Sequence, residues 1–322
     1  IDDLTIMGSP GEHEGEAPTT IIRDPSTTDD GPGNGGDRND GALMVNGARR
    51  VWLINLTVEN GYNGVVVHSG GSASANSLTA RSNRVRGFRI DTNGNLTCVD
   101  QCNATDNADA GYWAAGAGRL VFPGGTHASQ GNRIGMQSTL GGSIQLLDGP
   151  TFTATRNGTG ISALSNSTVA LQGIVNVSGT TGDGIVVGTD AYLTNNAVVT
   201  VTDSGRNDLV VFASGFVEHF GGAIRLLRVA GGDEAVKLQI TEYGGMRARA
   251  GSLTVEGDLE IREGGQFRWV TINNSSLAVD HLFMDFASFA SFSDAAHVPT
   301  NRECETSLVT LLVGGAIGSC SP

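Results

Sequence analysis

The chain has 322 residues, 47 of them Gly, only 16% charged residues and a formal net charge of −13. That balance speaks against nucleic acid or an anionic membrane surface as a partner, because both are held by Lys/Arg-rich surfaces. It also disfavours an acidic polysaccharide unless a local basic patch or a bridging cation intervenes, and no apolar run approaches the roughly 18 residues a spanning helix needs.

Residues 1–40 read as an N-terminal coil followed by an acidic, Gly-rich loop. Leu4-Thr-Ile-Met-Gly8 is a strand and turn, Thr20-Ile-Ile-Arg23 is a second strand, and Glu12, His13, Glu14 and Glu16 lie between them. Asp29, Asp30, Asp37 and Asp40 then stand among Gly and Pro in a stretch too polar to pack. Clustered oxygen donors in such a loop make these four the candidate Ca²⁺ ligands; the plainer reading is a solvated acidic loop. No other cofactor is implied. The chain starts at Ile1 without Met or a signal peptide, so a mature, processed or trimmed start is expected.

Residues 41–214 carry a repeat. Asn60-Gly-Tyr-Asn-Gly64-Val-Val-Val, Asn83-Arg-Val-Arg-Gly87-Phe-Arg-Ile and Asn107-Ala-Asp-Ala-Gly111-Tyr-Trp-Ala share one pattern. The same glycine recurs at Gly41, Gly135, Gly160 and Gly184, and Asp208 replaces it one step later. From Gly41 to Asp208 the step stays at about 24 residues, and a fixed period in this range means a solenoid. Side chains alternate along a strand, so the first and third residues after each glycine face inward: Ala42/Met44, Val65/Val67, Phe88/Ile90, Tyr112/Ala114 and so on to Leu209/Val211. The second and fourth then face outward, with an apolar strip at both ends of the stack (Leu43, Val45, Val66; Leu164, Val186, Val210, Phe212). The Asn residues at the turn (Asn60, Asn83, Asn107, Asn132, Asn157) suit a side-chain amide ladder, and Asn tolerates the left-handed conformation of such turns.

Residues 215–300 keep short strands separated by Gly pairs but lose the register, which predicts further, tighter coils. Residues 301–322 hold one strand inside a second disulfide loop. The four cysteines fall as two close pairs, Cys98/Cys102 and Cys304/Cys320, which favours local disulfides and an oxidising compartment over metal binding. Asn-x-Ser/Thr triplets at Asn55, Asn95, Asn157 and Asn166 carry no weight in a chain this rich in those residues.

The Asn-x3-Gly-apolar coil and the opening Leu4-Thr-Ile-Met-Gly8 phrase resemble the pectin-lyase-like superfamily over most of the chain. The resemblance implies an all-β fold, a single-stranded right-handed parallel β-helix of about 24-residue coils, forming one domain over residues 1–322. It says little about function, because this architecture carries lyases, hydrolases and structural proteins alike. In its enzymes, outward residues of adjacent coils meet across a groove. The outward column here offers His68, Arg89 and Asp91 as catalytic candidates, and Trp113 and Gln137 as substrate-binding ones. The plainer reading is an outer strand with a cross-coil Arg/Asp pair and a half-exposed Trp. The Asn-x-Asp, Asp-Asp, Gly-His-Gly and Arg-x-Lys set of polygalacturonases is missing, and only Asp91 stands on the column where a pectate lyase needs several carboxylates.

Two functional expectations follow. The first is a secreted or cell-surface structural or adhesive β-helix that self-associates, end to end or laterally, as in an extracellular fibre, with uncapped ends. The alternative is a polysaccharide lyase or glycoside hydrolase acting through the outward groove. Whether the chain is an enzyme is left open, with the balance toward no.

Overall fold

A computed structural model describes residues 4–7, 20–23, 41–228, 237–270, 275–285, 287–294, 296, 298–304, 310–313 and 316–317. The Asp29, Asp30, Asp37, Asp40 loop lies outside them, as does Cys320 of the second expected disulfide. The strands form a parallel β-solenoid of about ten coils spaced about 24 residues apart. The chain divides into two compact units, Ile1–Gly158 and Thr159–Pro322. Within each, a coil supplies one strand segment to each of three parallel sheets. No helix among the described residues is long and apolar enough to cross a membrane.

In the first unit, Val51–Glu59 serves the first two sheets, bending at Asn55 (φ 52), and Asn63–His68 serves the third. The third sheet then stacks Val65, Phe88, Tyr112 and Met136 in register, all fully buried. Phe88 and Tyr112 lie ring on ring at 4.9 Å and 7°, while Phe122 meets Tyr112 edge-on at 5.4 Å. The repeat glycine has a steric cause. A Cβ on Gly64 would stand 2.6 Å from the carbonyl oxygen of Gly87, and one on Gly87 would stand 2.7 Å from that of Gly111. At these positions an L side chain would force the neighbouring coils apart, which keeps Gly64 and Gly87 bare.

The same register corrects the first coil. Gly41 pairs with Asn63 and Leu43 with Val65, so the glycine column begins one place later than the sequence spacing suggests. Leu43 and Val45 therefore point inward and Met44 outward, the reverse of the expectation; Val45 is buried and Met44 is 48% exposed. The outward apolar strip is not an exposed strip either. Val66 and Val210 are buried, Leu164, Val186 and Phe212 are half-buried, and the Phe212 ring covers Gly188.

The amide ladder forms from four of the five expected residues, Asn60 being left out. Asn83 donates its backbone N–H (3.1 Å) and its side-chain amide (2.8 Å) to Asn107 Oδ1; Asn107 does the same to Asn132 (2.8 and 3.0 Å), and Asn132 to Asn157 (2.9 and 3.3 Å). The top rung receives the N–H of Gly61, not of Asn60. The left-handed residue is the one before each rung: Asn60, Ser82, Asp106, Gly131 and Arg156. Every rung is buried, Asn157 included, so its Asn-x-Thr triplet is closed to glycosylation in the folded chain.

In the second unit the inward column of the third sheet runs Ile161, Ile185, Leu209, Leu238, Leu259 and Leu282. The repeat that fades from the sequence after residue 214 thus persists in space. One long step, from Leu209 to Leu238, is followed by two shorter ones, to Leu259 and then to Leu282. The column ends on Arg302, which pairs with Leu282. In the first sheet the last parallel strand, Thr310–Val313, pairs antiparallel with Ala316–Ile317. That pairing occupies an edge expected to be open.

Candidate functional site

The predicted residues lie on the third sheet of the first unit. Asn63–His68, Arg86–Ile90 and Ala110–Ala114 pair in parallel, setting Val66, Arg89, Trp113 and Gln137 in one outward row. The register that pairs Val67 with Ile90 puts His68 and Asp91 at the same step of adjacent coils. The structure therefore brings all five residues to one face, as the spacing predicts.

Their environment differs from an open groove. His68, Arg89 and Asp91 are only 4%, 8% and 6% exposed, while Trp113 and Gln137 are half-buried. Arg89 is committed: its Nε donates to Asp91 Oδ2 at 2.8 Å, its Nη2 lies 2.6 Å from the same oxygen, and its guanidinium stands 5.5 Å from the Trp113 ring. Arg86 covers that ring more closely, at 4.0 Å, and pairs with Asp109 at 3.4 Å. Burial against the ring pulls the Arg86 guanidinium below its ordinary pKa, opposed by the Asp109 charge. Arg133 also reaches Asp109. The result is an arginine–aromatic–carboxylate lattice knitting successive coils. His68 Nδ1 meets Ser69 Oγ at 3.0 Å, and its Nε2 is buried without a hydrogen-bond partner among the described residues. Chemically, a histidine and a carboxylate stand at the same step of adjacent coils, but Arg89 is paired with that carboxylate and all three are covered.

Beneath this face, Cys98 and Cys102 form the expected disulfide. His127, fully buried, accepts the Cys102 N–H at Nδ1 (3.1 Å) and so carries its proton at Nε2, which donates to the Gly124 carbonyl (2.6 Å). Desolvation lowers its pKa and keeps it neutral. Tyr112, the sole tyrosine of the inward column, is pushed well above the usual phenol range by burial; its O–H lies between the carbonyls of Cys102 and Ala128. These are packing roles; the spacing announces the disulfide and the inward turn of Tyr112, but not the hydrogen bonds of His127 and the Tyr112 hydroxyl.

Two polar clusters of the second unit escape a reading of the sequence. Asp208 looks there like a lapse in the glycine column. In the structure Leu209 pairs with Leu238, so Lys237 sits at the next step, with Nζ 3.6 Å from Asp208 Oδ2 and both side chains buried. The column continues through Asp258 to His281, whose Nδ1 lies 3.5 Å from Asp258 Oδ1. Acid and base alternate over four coils where other coils carry glycine. The second cluster surrounds Glu218, buried on the first sheet, which receives the Tyr192 hydroxyl and the guanidinium groups of Arg247 and Arg249. Desolvation pushes the Glu218 carboxyl up, but those hydrogen bonds and charges outweigh it and hold the pKa below its ordinary value. Tyr192 is pushed up to about 12, first by burial and then by the Glu218 carboxylate. No group of three or more His, Cys, Asp or Glu among the described residues is placed to hold a metal ion.

Comparison of the chain with models of known protein families, with curated proteins and with solved structures gives no match.

Proposed function

We propose that this chain is a non-catalytic structural or adhesive β-helix of the secreted or cell-surface kind that works through contacts with further copies of itself. The observation that carries this reading is the burial of His68, Arg89 and Asp91, with the Arg89 guanidinium held by Asp91 and stacked near Trp113. A polymer-cleaving site needs its acid, base and cation within reach of the substrate. Here Arg89 and Asp91 pair within one coil, not across coils as expected, and the Arg89–Trp113 contact reaches the next coil. The Cys98–Cys102 disulfide supports an oxidising compartment.

Stacking through the C-terminal end is disfavoured: Thr310–Val313 is paired on both sides, and a further coil over Arg302 would bury its charge. We therefore propose self-contact through the lateral faces or the N-terminal side of the stack. The competing reading, a polysaccharide lyase or hydrolase, keeps the one observation that His68, Asp91, Arg89 and Trp113 do share a face. A panel of polysaccharides incubated with the protein separates the two. The structural reading expects no new reducing ends and no unsaturated products; turnover that Asp91→Ala with Arg89→Ala abolishes, in a variant that stays folded, would sink it.

A further inference from the structure

The outward face of the first sheet in the second unit has a chemistry found on no other face described above. Its strands are Phe216–His219, Gly245–Ala248, Gln266–Trp269 and Phe289–Phe292, paired in parallel and in register. Three outward rows cross them. The first runs Phe216, Gly245, Gln266, Phe289, and the second Glu218, Arg247, Arg268, Ser291. The third holds Phe220, Arg249 and Val270, which follow the buried His219, Ala248 and Trp269. Arg247, Arg249 and Arg268 therefore form a contiguous triangle.

Among the described residues, only one carboxylate serves it. Glu218 lies 2.8 Å from Arg249 and also bonds Arg247, so two of the three guanidinium groups are oriented by one negative charge. Arg268 is exposed and has no carboxylate partner among the described residues. It stands directly across the strand pair from Arg247, a like-charge juxtaposition that costs folding energy. Each arginine also lies against a ring: Arg247 is 5.8 Å from Phe216, Arg249 5.8 Å from Phe220 and Arg268 5.3 Å from Phe289. The Phe216 ring is itself braced by Tyr192, parallel at 4° and 5.8 Å away. Stacking on rings and pairing with Glu218 fix the forks without using all five donors of each. Arg247 and Arg249 remain 33% and 43% exposed at the side chain, and Phe220 is 45% exposed.

In a chain with a net charge of −13, a strip with three arginines to one carboxylate is a local reversal of sign. We propose that this strip binds an anionic glycan, its arginines taking carboxylate or sulfate groups in forked hydrogen bonds and its exposed rings taking sugar faces. A glycan chain fits better than a single small anion because the cations recur on successive coils, one strand spacing apart, with apolar ring surface beside each. This deepens the adhesive side of the function proposed above by naming what the surface adheres to. It requires no turnover.

The test is affinity electrophoresis and titration calorimetry of the full chain with three probes: polygalacturonate for carboxylate, heparin for sulfate and dextran as the neutral control. The proposal expects binding to one or both charged glycans, weakened by added salt, and none to dextran. Arg268→Glu should lower that affinity roughly tenfold or more, because a charged hydrogen bond is lost and a repulsion gained. Arg119→Glu, at an exposed arginine of the first unit bonded to Gln145, should leave it unchanged. Which probe binds decides between carboxylate and sulfate. No binding to either at low salt overturns the proposal, and so does an equal loss in both variants. Cleavage of a bound glycan would refute the non-catalytic reading while leaving the strip in place.

Discussion

Replacing Asn107 by Ala should cost far more than replacing Asn60, although the sequence makes the two look equivalent. Asn107 Oδ1 accepts both the backbone N–H and the side-chain amide of Asn83, and its own amide donates to Asn132 Oδ1 and to the Ala80 carbonyl. Truncation leaves at least two buried donors of Asn83 without an acceptor, at about 1–3 kcal/mol each, so a loss of roughly 4 kcal/mol is expected. Asn60 is exposed with φ 62 and makes no rung, so Asn60→Ala should cost only about 1 kcal/mol for a less tolerant left-handed residue. Urea titrations followed by far-UV circular dichroism would read both. Asn107→Asp sharpens the test. At neutral pH its carboxylate faces Asn132 Oδ1 with no proton to give; on acidification the protonated acid can donate, and part of the stability should return. Equal losses for Asn107→Ala and Asn60→Ala would refute the ladder as drawn.

Other expectations follow from the buried charges and the disulfide. Desolvation raises the Asp208 carboxyl above its ordinary 3.8, opposed first by Ser204 and then by the Lys237 charge. Lys237→Met alone should cost about 3 kcal/mol, whereas Asp208→Asn with Lys237→Met should fall within about 1 kcal/mol of the parent; a double variant as unstable as the single one would contradict this. His127 and His219 are both buried, and desolvation lowers both below the ordinary 6.5. Above 6.5 they are neutral folded or unfolded; below it the unfolded chain binds protons that the fold refuses. Stability should therefore fall as pH drops below the ordinary 6.5, and His127→Gln with His219→Gln should flatten that slope. Glu218, with a lowered pKa, acts only below its ordinary 4.5. Cys98→Ala with Cys102→Ala removes a loop of sequence separation 4 and should cost about 2 kcal/mol, read from a denaturation midpoint.

The glycine period is legible because it reports a hard steric limit: a Cβ at Gly64 or Gly87 would strike the next coil's carbonyl. The alternation after it is legible for the same reason that any strand is, and it puts Phe88, Tyr112 and Met136 inside correctly. The first coil reads one place out of step because Gly41 is a glycine without belonging to the column. Other turns leave little compositional trace. Between the third sheet and the next coil, paired left-handed residues recur at Thr92/Asn93, Thr189/Asp190 and Glu242/Tyr243. Asn93 and Asp190 tolerate this conformation, but Thr92, Thr189, Glu242 and Tyr243 do not favour it, and turn-to-turn bonds such as Tyr243 N–H to Glu263 O (3.2 Å) help hold the turns there. Stacking replaces local preference, so composition is a poor guide.

The face carrying His68, Arg89, Asp91 and Trp113 is legible from period alone, but its burial is not, because exposure depends on what other chain lies over it. Register is lost to the eye after Leu209, where the long step to Leu238 precedes the shorter ones to Leu259 and Leu282. That irregularity hides the Asp208–Lys237 pair. It hides the arginine triangle too, because Arg268 is remote in sequence from Arg247 and Arg249 but only one strand away in space.

Self-association is tested most directly by sedimentation velocity and negative-stain electron microscopy of the natively purified protein across a wide concentration range, with and without Ca²⁺. The structural reading predicts discrete oligomers or fibres that grow with concentration. A single monomeric species at every concentration, together with turnover of any polysaccharide, would contradict it.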